Sequence, residues 1–328
     1  MDQQLLRDVV EQAGRAPSIH NTQPWRFVAR GDTLELWTEP GRGLEVLDPT
    51  GRARHLSCGA ALLHARVAAA RAGHVAVVTT LPDRAQPDHL ADLRLVAGDP
   101  PAGDRELGDA IAARRTSRAP FTARQLPAEV VAELRAAAEV EGCWIRIVEQ
   151  PSDMVAIAVL MARADELETA NPAYEEELRR WTGAGEDATE GVPGSAVPDI
   201  APSQRGSNFR LRDFVADRED EPATGADESH PPAVERPLVA VLGTREDDIT
   251  SWLAAGQAVG RLLLQATARG VAASPMTQPL EIPDTRLRLA RELGLVGHPQ
   301  MILRLGYAEA NAQANVPRRS VEDLLTED

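Results

Sequence analysis

The sequence contains no lysine, so all 35 basic side chains among its 328 residues are arginine. A pyridoxal-phosphate enzyme needs a lysine for its Schiff base, a P-loop needs the lysine of its GK[ST] signature, and a protein kinase needs a strand lysine. These three classes are excluded. Nucleotide composition can also deplete lysine, so the absence does not indicate which mechanism is used instead.

Other signatures of chemistry are missing as well. The chain has no G-x-G-x-x-G, G-x-S-x-G, H-E-x-x-H or Cys-x-x-Cys motif. Its two cysteines, Cys58 and Cys143, provide no disulfide framework, and none of the seven histidines stands four residues from another. The sequence therefore predicts no metal site.

Long apolar runs and excess positive charge are also absent. The net charge is −15, and an acidic chain is a poor match for a phosphate backbone, so we expect no nucleic-acid partner. No run approaches 18 apolar residues, and the N-terminus lacks the basic and apolar regions of a signal peptide. We therefore expect a soluble cytoplasmic protein. With 328 residues, 43% of them apolar, the chain can form one large or two modest domains.

The segment 16–27, APSIHNTQPWRF, separates a predicted helix from a predicted strand. Apolar residues repeat at helical spacing from Leu5 to Ala13 and stop at Gly14. After the segment, an alternating apolar pattern predicts a strand pair across a turn at 31–32. Pro24 fixes the backbone and Trp25 lies behind a group of amides and hydroxyls, a combination that suits a planar polar ligand. The alternative is an ordinary polar loop with an apolar anchor.

The chain also contains an internal repeat. Two alanine-rich helices, 59–73 and 256–270, each run from glycine to glycine, and each precedes a strand that ends in glycine, at Gly98 and at Gly306. A predicted helix at 127–141 leads into a strand at 144–148, as the N-terminal helix leads into its strand. The second copy has no counterpart of the 16–25 loop, so one ligand loop is predicted per chain. The alternative is a coincidence between alanine-rich helices.

A second constellation is RRTSR at 114–118, after a short predicted helix at 106–113. Arginine forks bind phosphate oxygens bidentately, and a phosphomonoester needs more than one of them. Arg318 and Arg319, in the C-terminal tail, could complete such a shell. The alternative is structural, because cations are also favoured at helix C-termini.

Residues 182–237 differ from the rest of the chain because they are rich in Gly, Pro, Asp and Glu and have almost no periodicity. They are either a solvated, partly disordered insertion or a lid. In the second case, contact chemistry is concentrated at Asn208, Phe209, Arg210 and Phe214.

The loop at 16–25 resembles the P-S-x-x-N-x-Q-P-W segment of the nitroreductase-like FMN flavoproteins. RRTSR at 114–118 is similar to the R-R-S-x-R segment of that family, with Thr116 at the serine position, and 305–307 followed by 317–319 resembles the family's closing strand and basic pair. Ordinary members carry the arginine motif first. The reversed order here is similar to the fused, two-domain Acg-like branch, and the resemblance covers essentially the whole chain.

The resemblance implies an α+β nitroreductase-like fold made of two tandem half-domains, each with a mixed, mainly antiparallel sheet flanked by helices. The first half would be residues 1–105 and would carry the flavin-ring loop 16–25. The second half would be residues 106–328. It would carry the phosphate-binding segments 114–118 and 317–319 and the insertion or lid at about 182–237. Together they would form an intramolecular pseudo-dimer, monomeric in solution, that binds one FMN.

The resemblance also assigns roles to individual residues. Arg114, Arg318 and Arg319 would hold the FMN phosphate, Thr116 would support phosphate or ribityl oxygens, and Arg118 would lie toward N1 and O2 of the ring, where it stabilises developing negative charge. Pro17, Ser18, Ile19 and Asn21 would approach the ring and its polar edge, and Gln23 and Trp25 would fix the loop. Ser274 and Pro275 belong to a strand end that would pass near the ring.

Two functions follow from the resemblance. The first is an oxidoreductase in which NAD(P)H reduces FMN and an electron-poor small molecule, a nitroaromatic or a quinone, then accepts the electrons; no protein side chain is expected to act as a catalytic acid. The second is an FMN-binding or FMN-sequestering protein with a closed lid and little or no reductase activity. A binding protein for another phosphorylated aromatic remains a third interpretation.

Overall fold

The structure, a computed structural model, describes residues 3–118, 120–184, 188–193, 235–308 and 316–327. The helices are α1 Gln3–Gly14, α2 Arg52–Arg71, α3 Ala102–Ala110, α4 Ala128–Val140, α5 Pro151–Thr169, α6 Pro172–Trp181, α7 Ile249–Ala268, α8 Gln278–Glu281, α9 Pro283–Glu292 and α10 Val321–Leu324. Two 3-10 turns, Ile19–Asn21 and Pro40–Arg42, lie between them.

The strands are β1 Trp25–Arg30, β2 Thr33–Thr38, β3 His74–Thr80, β4 His89–Ala97, β5 Trp144–Val148, β6 Thr182–Ala184, β7 Val192–Pro193, β8 Leu238–Thr244, β9 Ala272–Met276, β10 His298–Gly306 and β11 Leu325–Glu327. They form a five-stranded sheet β11-β1-β2-β4-β3, a four-stranded sheet β5-β8-β10-β9 and the pair β6-β7. In the five-stranded sheet only β1 and β11 pair in parallel, and every pair of the four-stranded sheet is antiparallel. The predicted α+β class is confirmed.

The two larger sheets share a strand order. In the first sheet, without β11, the strands lie in the order β1-β2-β4-β3, and in the second sheet in the order β5-β8-β10-β9. When the four strands of each sheet are numbered in chain order, both sheets read 1-2-4-3. In each case a twenty-residue helix, α2 or α7, lies between the second strand and the third. The repeat in the sequence predicts such a correspondence, although the duplication itself stays a prediction.

The two long helices pack against each other in the middle of the molecule. Most of α2 is buried, and its residues contribute to two core clusters, one with β1, β2 and β4 and one with α7 and the second sheet. A third cluster lies between α5, α9 and β10. None of the helices in the described part of the chain is long and apolar enough to cross a membrane.

Several boundaries differ from the sequence prediction. The short helix expected at 106–113 is α3, which begins at Ala102 and ends at Ala110, so the proposed boundary after residue 105 falls inside a helix. The C-terminal strand β11 joins the first sheet beside β1, although the tail was assigned to the second half. The division at 105 stays a prediction. Of the insertion, Asn208, Phe209, Arg210 and Phe214 lie outside the described residues.

Candidate functional site

The loop between α1 and β1 has an unusual backbone. His20, Asn21 and Gln23 adopt φ values of 44°, 56° and 47°, and Leu81 is the one other non-glycine residue with positive φ in the described chain. Such conformations cost free energy and persist where the surroundings hold them, most often at functional sites. Two backbone N–H groups hold this loop: that of Gln23 donates to Ser18 Oγ at 3.0 Å, and that of Ile19 donates to Ser57 Oγ at 3.2 Å.

Gln23 and Arg319 fix the loop from behind. Gln23 is fully buried; its Nε2 donates to the carbonyl of Thr189 at 2.7 Å, and its Oε1 accepts from the amide of Arg319 at 2.9 Å. The Arg319 guanidinium donates to the carbonyls of Gln23 and Trp25 and to a carboxylate oxygen of Glu39 at 2.6 Å. Neither residue lines a pocket of the site. The geometry makes them supports of the loop, whereas Arg319 was expected at the phosphate.

A small basic pocket, which we call the arginine pocket, lies beside the loop. Its walls come from the loop, the end of α3, the 114–118 segment and the C-terminal tail. Its guanidiniums belong to Arg15, Arg114, Arg115, Arg118 and Arg318. No carboxylate lines this pocket among the described residues, so positive charge is concentrated there.

Burial makes this charge costly. Arg114 is 4% exposed, and its Nε and Nη1 have no hydrogen-bond partner, while its Nη2 donates to the Arg15 carbonyl at 3.3 Å. Burial, with Arg318 and Arg115 nearby, lowers the pKa of Arg114 to about 9. Burial also lowers the pKa of Arg318 to about 10, and its Nε is without a partner. Unpaired buried cations are stabilised by a bound anion, so the pocket fits a phosphate.

A larger cleft, which we call the ring cleft, adjoins the arginine pocket. It encloses about 1250 Å³ of empty space, part of it open to solvent. One wall is apolar and comes from α2 and α7, through Ala53, Leu56, Ala60, Val259 and Leu263. Pro275 and Met301 also line the cleft, and its polar end is formed by Arg52, Gln278, Glu281 and Gln300. A flat apolar body with polar edges matches these walls.

The two cavities share Pro17, Ser18, Thr116 and Arg118 in their walls. The segment that carries Thr116 and Arg118 is tied to β9 by a hydrogen bond from the Ser117 amide to the Ala273 carbonyl at 2.9 Å. Burial lowers the pKa of Arg118 to about 10. One ligand with an anionic group and a planar apolar body can therefore occupy both cavities at once.

Most of the residues predicted from the sequence meet at this site. Those that line one or both cavities are Pro17, Ser18, Ile19, Asn21, Arg114, Thr116, Arg118, Ser274, Pro275 and Arg318. Gln23 and Arg319 do not. Four further residues line the cavities. Arg115 was predicted only as part of the phosphate-binding segment 114–118, and no pattern marked Arg15, Arg52 or Gln278. The individual binding roles stay predictions.

The first part of the insertion contacts the loop. Asn21 Nδ2 donates to the carbonyl of Gly191 at 3.0 Å, and Arg42 pairs with Glu190 at 2.5 Å. Val192 lines the arginine pocket. Residues 190–192 therefore lie at the site, with Val192 in the wall of the arginine pocket. Most of the predicted lid, residues 182–237, lies outside the described residues.

One group of metal-ligating side chains occurs in the described part of the chain, at Glu35, His89 and Asp92, whose ligand atoms lie within 4.8 Å of one another. These side chains already have partners. His89 Nε2 lies 2.8 Å from Asp92 Oδ1, and Glu35 Oε2 accepts from Trp37 Nε1 at 2.9 Å. The group is not part of either cavity, and the absence of a resident metal stays a prediction.

Comparison with known proteins gives sequence matches along the whole chain. The model of the Nitroreductase family matches residues 111–307. The chain is 37% identical over 327 residues to the Mycobacterium tuberculosis H37Rv protein named "Putative NAD(P)H nitroreductase Rv3131", covering 99% of this chain and 92% of that protein. It is 33% identical to "Putative NAD(P)H nitroreductase acg" of the same strain, covering 98% and 95%. Among solved structures, the FMN-dependent nitroreductase NfnB of Mycobacterium smegmatis in complex with NADPH aligns with 18% identity and a TM-score of 0.41, over 67% of this chain and 96% of that one.

Proposed function

This chain belongs to the nitroreductase family, and we propose that it is an FMN-dependent oxidoreductase. It would take electrons from NAD(P)H and pass them to an electron-poor small molecule, a nitroaromatic or a quinone. The observation that carries the proposal is the arginine pocket, where guanidinium nitrogens of Arg114 and Arg318 are buried without partners, opening into an apolar cleft. The names of the curated relatives point to the same activity.

The arginine pocket would hold the phosphate of FMN. That group carries about −1.5 to −2 charges near neutral pH, and Arg114 and Arg318 provide the buried donors that lack partners. Arg15 and Arg115 line the same pocket and would complete the shell. Arg319 would act indirectly, since its hydrogen bonds hold Gln23 and the loop.

The ring cleft would hold the isoalloxazine, which supplies the two-electron chemistry when bound. Leu56 and Val259, from the two long helices, would exclude water from one side of the ring. Arg118 lines both cavities and would place positive charge at the polar edge of the ring, which favours the more negatively charged reduced form. The nicotinamide and the acceptor would use the same cleft in turn, so no separate dinucleotide motif is needed.

The arrangement of the halves is part of the proposal. The ligand loop precedes β1 of the first sheet, whereas the 114–118 segment is bonded to β9 of the second sheet. We propose that the chain acts as its own dimer, monomeric and cytoplasmic, with one FMN per chain, because the loop occurs once.

A second candidate function is FMN sequestration with little reductase activity. It is favoured by residues 188–193, which contact the ligand loop through Asn21 and Gln23 and line the arginine pocket through Val192. In this function a nicotinamide would not reach the ring.

Two measurements test these candidates. Purified protein, or apoprotein incubated with FMN, should be yellow and contain one FMN per chain; protein that remains colourless would reject both flavin functions. Anaerobic addition of NADH and of NADPH then separates them. Bleaching of the flavin band supports the oxidoreductase, whereas bleaching by dithionite alone supports sequestration.

A further inference from the structure

Gln278 stands out at the polar end of the ring cleft. Its side chain is 3% exposed and lines the cleft, yet its Nε2 has no hydrogen-bond partner in the structure. An amide nitrogen that is buried without a partner costs about 1–3 kcal/mol of desolvation. Such groups are rare in folded proteins, and each calls for a physical explanation.

The neighbouring glutamine of the same cleft shows the contrast. Gln300 is 1% exposed, and its Nε2 donates to Thr244 Oγ1 at 2.9 Å and to Asp247 Oδ1 at 3.0 Å. Its Oε1 accepts from Arg52 and Arg286. Gln300 is therefore part of the framework, whereas the donor of Gln278 is left for a molecule in the cleft.

The backbone that carries Gln278 is held on several sides. The carbonyl of Leu280, two residues on, accepts from Arg52 Nη2 at 3.1 Å, and the carbonyl of Pro279 accepts from Thr285 Oγ1 at 2.8 Å. Arg52 is itself buried and also donates to the Gln300 carbonyl at 2.9 Å. Because α8 is fixed by α2, α9 and β10, the amide of Gln278 is presented at the cleft on a rigid element.

We propose that Gln278 is a ligand-contacting residue whose Nε2–H donates to an acceptor atom of the planar molecule in the ring cleft. This inference rests on the proposed FMN function. The acceptor atom belongs either to the flavin ring or to the second planar molecule, nicotinamide or electron acceptor, that enters the cleft. A donor to the flavin ring stabilises the redox form with more negative charge, and a donor to the second molecule contributes to its affinity.

The test compares wild-type holoprotein with Gln278→Met, which keeps the length of the side chain and removes the donor, and with Gln278→Glu as a second variant in case the first does not fold. The control is Gln265→Met, on α7, whose amide is bonded to Glu133 outside the cleft. Each protein is measured for FMN affinity, flavin absorption maximum and midpoint potential, and for KM with NADPH, a quinone and a nitroaromatic.

If the flavin is the partner, Gln278→Met lowers the midpoint potential and shifts the absorption maximum, while Gln265→Met changes neither. If the second molecule is the partner, the spectrum and potential stay unchanged and one KM rises about tenfold. If only a water molecule contacts Gln278 Nε2, Gln278→Met changes none of these readouts, and that result would overturn the inference. Failure of the wild type to bind FMN would instead reject the proposed function.

Discussion

Gly59 of α2 and Gly256 of α7 face each other where the two long helices cross. A Cβ on Gly256 would lie 2.9 Å from the Cα of Gly59 and would clash with the carbonyl oxygen of Leu56. A Cβ on Gly59 would lie 3.0 Å from the Cα of Gly256 and would clash with the carbonyl of Leu253. These are the first glycines of the two repeated helices in the sequence. The crossing brings Leu56 and Val259 to the same cleft.

Gly256→Ala is expected to destabilise the protein by about 3 kcal/mol or more, because the clashing atoms are backbone and cannot rotate away. Urea unfolding with and without FMN measures the change. Gly103→Ala is the matched control: Gly103 lies in α3 with no atom within 4 Å of an added Cβ, and alanine should be neutral or slightly stabilising there. Equal effects of the two substitutions would contradict a close helix crossing.

The elements around the site were predictable because their patterns are regular. The apolar spacing before Gly14 and the alternation after Trp25 give α1, β1 and β2. The glycine-bounded alanine runs give most of α2 and α7, which begin seven residues before the first glycine and end two residues before the second. The two motifs then identified most of the arginine pocket and the four residues that both cavities share. Local periodicity and recognisable motifs are sufficient for this part of the structure.

Features that depend on distant contacts were not predictable. Left-handed φ at His20 and Gln23 has no glycine to signal it. At Gln23 the backbone N–H donates to Ser18 Oγ and the side chain donates to the distant Thr189 carbonyl. Arg319 carries the same charge as Arg318, and only the position of Glu39 and the loop carbonyls directs it away from the pocket. Gln278 lies in the short helix α8, and no sequence pattern marks it as a contact residue. The fold, rather than any motif, brings its side chain to the cleft.

Arg304 and Glu235 form an ion pair with 1% and 2% side-chain exposure and an Nη2–Oε1 distance of 2.6 Å. Glu235 Oε2 also accepts from the Phe121 amide at 2.8 Å. Glu235→Gln should lower the free energy of unfolding by about 3–5 kcal/mol, because it leaves a buried guanidinium without its anion. Chemical denaturation measures this cost. Asp109→Asn breaks an exposed pair with Arg71 and should cost less than about 1 kcal/mol.

His64 should make the protein sensitive to acid. It is fully buried, and burial, followed by Arg114, lowers its pKa to about 3. The unfolded state, with a pKa near 6.5, binds a proton that the folded state does not, so stability falls as pH decreases from 6.5 toward 3. At pH 5 the loss is about 2 kcal/mol.

His64→Gln should remove this part of the loss, seen as a smaller difference in unfolding free energy between pH 7 and pH 5. His74→Gln, on β3, is the control for the general effect of acid. If His64→Gln and wild type lose the same stability between these two pH values, His64 is not the group responsible.

Arg114 should stabilise the complex and not the apoprotein. Its folded pKa lies below the unfolded one, so its burial destabilises the apoprotein fully below about pH 9 and progressively less above that pH, and a bound anion offsets the cost. Arg114→Met should leave apoprotein stability unchanged or higher and weaken FMN binding by about 2 kcal/mol or more. Thermal unfolding and fluorescence titration measure the two quantities. Arg105→Met, in an exposed pair with Asp99, should change neither.

The pKa of Arg114 also sets the pH range of binding. FMN needs the protonated guanidinium and the dianionic phosphate, so affinity should be constant between about pH 7 and 8.5. Above the Arg114 pKa of about 9, affinity should fall by up to tenfold per pH unit, and more steeply above the pKa of Arg318, about 10.

Fluorescence titrations at a series of pH values, with circular dichroism to confirm folding, measure this profile. Riboflavin lacks the phosphate and should bind more weakly, with no break near pH 9. In Arg114→Met the break should also disappear for FMN. A riboflavin profile with the same break as FMN would mean that the titrating group contacts the ring, and the phosphate would then have to be assigned away from Arg114.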